Sequence, residues 1–217
     1  DWFFLYYRDR AFTLALGQTP LAHFLQSMGA EADPASGGRQ MPAHWADARR
    51  NIACTSAPTG TQFLQAVGAA EASLRVTQDP SLREAVARFE DDEIVVVTTG
   101  DGTTSEGEFW ESLNSACNLA LPVLYVVEDN GYAISVPVEV QTAGGSISKL
   151  VAGFPGLRVV ECDGTDVADT YRAAGEVVRW VRERKCPALL EAHCVRPYSH
   201  AMSDDERPSR SGLETGL

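Results

Sequence analysis

Two short turns carry the most legible chemistry in this 217-residue chain. Gly100-Asp101-Gly102 follows the apolar run at 94–98, and Asn130-Gly131-Tyr132 follows a second apolar run at 122–127. A carboxylate and a neutral amide oxygen are hard ligands of the kind Mg²⁺ takes, in octahedral oxygen coordination shared with phosphate groups. Glycines beside Asp101 let the backbone approach a phosphate closely, and Gly131 supplies a tight turn that brings the Tyr132 carbonyl back towards the same ion. An Asp-Gly pair alone is an ordinary turn. The two turns together predict a divalent cation held on a diphosphate by Asp101, Asn130 and Tyr132.

For the turns to meet, both runs must be strands opening at one carboxyl edge of an α/β sheet, where ligands collect. Val95, Val96 and Val97 lack alternation, as expected of a strand covered on both faces. A helix over 105–119 joins the two strands, and its first amides would face the anion. Elsewhere the pattern predicts a helix over 9–28 and a long Gly- and Pro-containing loop over 30–51. A helix opening near Thr59 or Thr61 would bury Leu64, Val67 and Leu74. A third strand is expected at 157–161. Thr165 or Asp166 would cap a helix with an apolar stripe of Val167, Tyr171, Ala174, Val178 and Val181, and a strand at 188–195 closes the set. The expected fold class is α/β: a doubly wound, mostly parallel sheet with helices on both faces, one domain over 1–217.

Composition narrows the partners. Hydrophobic residues make up 44% of the chain, enough for one substantial core. No apolar run reaches the ~18 residues of a membrane span, so no membrane partner is expected. A formal charge of −12 argues against nucleic acid, which demands a basic footprint. Cys54, Cys117, Cys162, Cys186 and Cys194 form no Cys-x-x-Cys pair, so structural, reduced thiols are expected in place of a zinc site or a disulfide framework.

The segment from Gly100 through Ser135, with Ser105-Glu106-Gly107, Asn114 and Asn130-Gly131-Tyr132, resembles the alpha subunit of the thiamine-diphosphate-dependent decarboxylating component of 2-oxoacid dehydrogenase complexes. Tyr7-Arg8 is similar to that family's phosphate-contacting pair, and Arg offers a planar, permanently charged fork for phosphate oxygens. Gly38-Arg39-Gln40-Met41-Pro42-Ala43-His44 resembles the branched-chain (2-oxoisovalerate) form more than the pyruvate form. His200 with Ser203-Asp204-Asp205 is similar to the family's phosphate-contacting histidine and active-site loop.

The resemblance implies a thiamine-diphosphate-binding fold, incomplete at both ends, and oxidative decarboxylation of a 2-oxoacid with Mg. It implies a cofactor site of Tyr7, Arg8, Thr59, Gly100, Asp101, Gly102, Thr103, Asn130, Tyr132 and His200, with His200 also catalytic. Ser56, Pro58, Thr61 and Gln62 correspond to a potassium loop, although Ser and Thr there serve equally as helix caps. A beta subunit or fused beta domain would complete the site, and a lipoyl-bearing acyltransferase would receive the acyl group. Two positions depart from the family: Glu128 stands where relatives often have a basic residue, and Thr59 where a bulky apolar one props the pyrimidine. Ala201 replaces a phosphorylatable Ser, which implies a cytoplasmic, bacterial-type enzyme more than one of the mitochondrial matrix. Alternatives are a transketolase-type enzyme and a non-catalytic or regulatory subunit on the same fold. A nucleotide-binding oxidoreductase lacks its third fingerprint glycine.

Overall fold

The computed structural model describes residues 1–86 and 88–201. In chain order the elements are β1 (Trp2–Phe4), α1 (Arg10–Ala15), α2 (Pro20–Ser27), α3 (Thr61–Gln78), α4 (Pro80–Ala85), β2 (Val95–Gly100), α5 (Gly107–Leu119) and β3 (Val123–Asp129). A small hairpin of β4 (Tyr132–Ala133) and β5 (Val136–Pro137) follows, then α6 (Val138–Gln141), α7 (Ile147–Val151), β6 (Arg158–Asp163), α8 (Val167–Arg184) and β7 (Ala188–His193). The main sheet has the order β1-β2-β3-β7-β6, and every pairing is parallel. This is the expected doubly wound α/β architecture.

Strand residues divide by parity between the two faces. Val95, Val97, Val123 and Tyr125 meet Phe63, Ala66, Phe109, Leu113 and Ile147 from α3, α5 and α7. Val96, Leu124 and Leu190 meet Ala173, Val177 and Val181 of α8 on the opposite face. Because β2 and β3 are buried from both sides, the runs Val95–Val97 and Val123–Val127 that begin them are apolar throughout, which is why they show no alternation. The loop at 30–51 is irregular apart from a short 3₁₀ turn at Ala48–Arg50. No described helix is long and apolar enough to cross a membrane, and all five cysteines are free thiols.

Several elements differ from the sequence pattern. The single helix expected over 9–28 is two, because Gly17 adopts φ +97° and Thr19 caps a new helix that has Pro20 in its first turn. Strand β1 was not expected; its three residues are too few to show a period. In α3 Val67 is buried as expected, but Leu64 is 39% exposed, and the core face runs through Phe63, Ala66 and Ala70. The helix expected from Ser105 begins at Gly107, and a 3₁₀ turn over Asp101–Ser105 separates it from β2. In α8 the stripe holds at Ala174, Val178 and Val181, whereas Val167 and Tyr171 are 85% and 82% exposed.

These faces give a direct test. Phe109 is fully buried and stacks edge-on against Phe63 at 5.2 Å between ring centroids. Urea unfolding of Phe109→Ala is expected to show a loss of about 3–5 kcal/mol, against less than about 1 kcal/mol for the half-exposed Leu64→Ala.

Candidate functional site

Parallel register sets the level at which the strands end. Gly100 pairs with Glu128, and Asp129 with His193, so the residues that follow these strands open at one edge. Asp101 is 1% exposed, and its Oδ1 accepts the backbone N–H of Asn130 at 3.4 Å. Its Oδ2 and the side-chain Oδ1 of Asn130 are both buried without a hydrogen-bond partner. Buried oxygens are rarely left so in a native fold unless an ion or water satisfies them. A carboxylate oxygen and an amide oxygen, both acceptors and on residues joined by a hydrogen bond, fit a hard cation and not an anion. Tyr132 lies two residues beyond Asn130, at the start of the β4–β5 hairpin.

Two glycines of the first turn play different parts from the one expected. A Cβ on Gly102 would lie 2.9 Å from the Cβ of Ala133, so glycine there lets the turn pack against the hairpin. Gly100 is in ordinary extended backbone at φ −89°. Gln141, which the sequence did not single out, donates its Nε2 to the carbonyls of Asp101 (2.9 Å) and Gly102 (3.2 Å) and so holds the turn in place. No local signal could have found it, because it acts from 40 residues downstream.

The residues expected at a phosphate converge as well. The Arg8 guanidinium lies 3.1 Å from Nδ1 of His200. Tyr7 stacks edge-on against His200, and Arg8 covers the Tyr7 ring at 5.1 Å. The segment is fixed beneath by Asp9, whose carboxylate accepts the Tyr6 N–H at 2.8 Å and the Thr98 hydroxyl. Burial, followed by the charge of Glu128, pushes the Asp9 carboxyl well above its ordinary range. Glu128 is accommodated by the Tyr6 hydroxyl, which donates to it at 2.7 Å.

A cavity of about 460 Å³ brings together Tyr7, Met41, His44, Ser56, Pro58, Thr59, Thr103 and His200. His44 Nδ1 lies 3.1 Å from the Pro42 carbonyl, so this residue both lines the cavity and shapes its loop. Gln26 and Trp45 brace the same loop from behind: Gln26 Nε2 donates to His44 O at 2.6 Å, and the buried Trp45 indole donates to Tyr6 O at 2.9 Å. In the loop before α3, the Thr61 hydroxyl donates to Pro58 O at 3.1 Å, and Gln62 Nε2 reaches Thr98 O at 3.4 Å. These are the local bonds of a helix start, with Gly60 at φ +88° in the cap position. Ser203-Asp204-Asp205 lie outside the described residues. A larger hollow of about 790 Å³, lined by His23, Gln26, Asp33 and Arg50, contains none of the sequence-predicted residues.

Burial, followed by the neighbouring Asp129 charge, raises the Asp101 carboxyl from 3.8 to about 6. A carboxylate raised in the fold stabilises below its unfolded value and loses that contribution as pH climbs through the folded one. At ~1.4 kcal/mol per pKa unit, the metal-free protein should lose about 2 kcal/mol between pH 4 and pH 7 through this one group. Asp101→Asn should remove that loss. Urea unfolding without divalent cations is expected to show the variant level with wild type near pH 4 and more stable above pH 7.

Comparison with known proteins follows the same lines. The Dehydrogenase E1 component family matches residues 1–215. The 2-oxoisovalerate dehydrogenase subunit alpha of Bacillus subtilis is 35% identical over 214 residues, covering 99% of this chain and 61% of its own length. The mitochondrial 2-oxoisovalerate dehydrogenase subunit alpha of Mus musculus is 35% identical over 97% of this chain and 44% of its own. The 3-methyl-2-oxobutanoate dehydrogenase subunit alpha of Mycobacterium tuberculosis is 38% identical over 73% of this chain and 40% of its own. The chain thus spans about half the length of the curated relatives it matches, from 40% to 61%. Its clustered turns, its parallel sheet and a family match running almost end to end lead to one conclusion: the chain belongs to the dehydrogenase E1 component family.

Proposed function

We propose that this chain is the alpha part of a branched-chain 2-oxoacid dehydrogenase and holds the diphosphate end of thiamine diphosphate through Mg²⁺. The observation that carries the reading is the pair of unpartnered buried oxygens on Asp101 and Asn130 at adjacent strand ends. Those two atoms and the Tyr132 carbonyl are the proposed Mg²⁺ ligands. Thiamine diphosphate, when bound, supplies a nucleophilic thiazolium carbon and an electron sink for decarboxylation.

The residues of the chain do the positioning. Arg8 offers a charged fork to terminal phosphate oxygens, and its contact with His200 places an imidazole beside them. His200 brings an imidazole, a group able to take and give a proton, to the lining of the cavity, so it is the proposed group for orienting phosphate and assisting acyl transfer. Thr59 and Thr103 line the wall. Asp9 fixes the Tyr7-Arg8 segment against β2, and Gln141 holds the Asp101 turn in place.

The further parts of the proposal rest on the family. Branched-chain 2-oxoacids are the preferred substrates over pyruvate, as the names of the matched relatives suggest. A beta subunit or beta domain completes the active site, and a lipoyl-bearing acyltransferase accepts the acyl group. K⁺ at Ser56, Pro58, Thr61 and Gln62 is proposed as a brace for the loop under the cofactor. Cytoplasmic, bacterial-type operation is proposed from Ala201.

Titration calorimetry of thiamine diphosphate into the chain together with its beta partner, with and without Mg²⁺, tests the central claim. Metal-dependent binding is expected, abolished by Asp101→Ala and weakened about 10- to 100-fold by Arg8→Ala, the scale of a lost hydrogen bond to a charged group. Binding that ignores Mg²⁺, or an Asp101→Ala variant with unchanged affinity, would sink the reading.

A further inference from the structure

A second cluster of ligating groups lies at the same sheet edge and has no part in the cofactor reading. Asp129 ends β3, and Glu191 and His193 lie two residues apart on β7, on one face of that strand. Asp129 pairs laterally with His193. One ligand atom from each of the three lies within 4.8 Å of the other two, and His193 Nδ1 is 3.6 Å from Asp129 Oδ2.

The bonding around the cluster leaves the right atoms over. Glu191 is completely buried; its Oε2 accepts the Ser148 N–H at 2.8 Å, and its Oε1 has no partner. Asp129 Oδ1 accepts the Gly131 N–H at 2.8 Å, which leaves Oδ2 towards His193. His193 Nε2 is 3.4 Å from Glu161 Oε2, while Glu161 Oε1 is held by the Ser148 hydroxyl at 2.6 Å. An outer carboxylate on Nε2 selects the tautomer with its proton there and its lone pair on Nδ1, as around metal-bound histidines. A buried carboxylate beside a second one needs a proton or a cation between them.

We propose that Asp129, Glu191 and His193 form a cation site for a borderline transition-metal dication of the Zn²⁺ class, which ties the end of β3 to β7. One imidazole nitrogen with two carboxylate oxygens suits Zn²⁺, Co²⁺ or Mn²⁺ better than Mg²⁺, which prefers oxygen throughout. Ligands about 2 Å from such an ion sit closer together than the present spacing. The half-exposed His193 ring can rotate to close that gap, and its open side leaves room for water ligands. The site shares no ligand with Asp101 or Asn130, although Asp129 directly precedes Asn130.

Co²⁺ is the probe of choice, because its visible absorption reports coordination. Titrated into the metal-stripped full chain, it is expected to give d–d bands and saturate at one ion in the Asp101→Asn variant, in which the other turn is disabled. His193→Ala and Asp129→Asn are expected to weaken binding at least about tenfold, with Zn²⁺ competing the bands away. Two variants at exposed or strand-end positions keep the test open should Glu191→Gln fail to fold. Absence of Co²⁺ binding, unchanged binding in His193→Ala, or loss of binding in Asp101→Asn would each overturn the proposal.

Discussion

The parallel register of β2, β3 and β7 is the constraint on which the rest depends. It brings Gly100 level with Glu128 and Asp129 level with His193, so every turn that leaves these strands opens at the same height. A shift of one residue in either pairing would turn Asp101 or Asn130 towards the wrong face, because side chains alternate along a strand. The register is held by valines and leucines packed from both sides.

Above that core the chain concentrates acceptors. Asp9, Asp101, Glu128, Asp129 and Glu191 all lie at or near the strand ends, and burial raises the carboxyls of Asp9, Asp101 and Glu191. So much like charge in a low-dielectric edge is unfavourable unless donors or cations offset it. Tyr6, Thr98 and Ser148 supply some donors. Among the described residues, the buried side-chain oxygens at this edge that remain without one include those of Asp101, Asn130, Gln141 and Glu191, and the two functional readings draw on those of Asp101, Asn130 and Glu191. Stability in the metal-free state is therefore lowered at the very edge where ligand binding would restore it.

Much of this was legible in residue types. The unalternating valines of β2 announced a strand buried on both faces, and Asp101 and Asn130 announced two oxygen-bearing turns that the fold brings into contact. Residues 9–28 misled because apolar spacing continues across Gly17 and Pro20, where the backbone cannot. The start of the α8 stripe misled for another reason: periodicity reports that a helix has an apolar side but not how much of its length lies over the sheet. Leu64 looked like a core residue on hydrophobicity alone, yet the neighbouring Phe63 and Ala66 take the face that meets α5.

The sequence by itself determined the fold class and the two turns at Asp101 and Asn130, since each is a local pattern of residue types, whereas the Tyr7-Arg8 pair and the loop with His44 stood out through the resemblance to a family. Only the tertiary structure decided that Gln141 holds the Asp101 turn, that Gly102 is needed for packing against Ala133, that Tyr6 receives Glu128, and that Asp129, Glu191 and His193 converge. The reason is physical: a motif is a short-range arrangement that one stretch of chain can encode, whereas these contacts join separate strands and loops and exist only after the long-range register has closed.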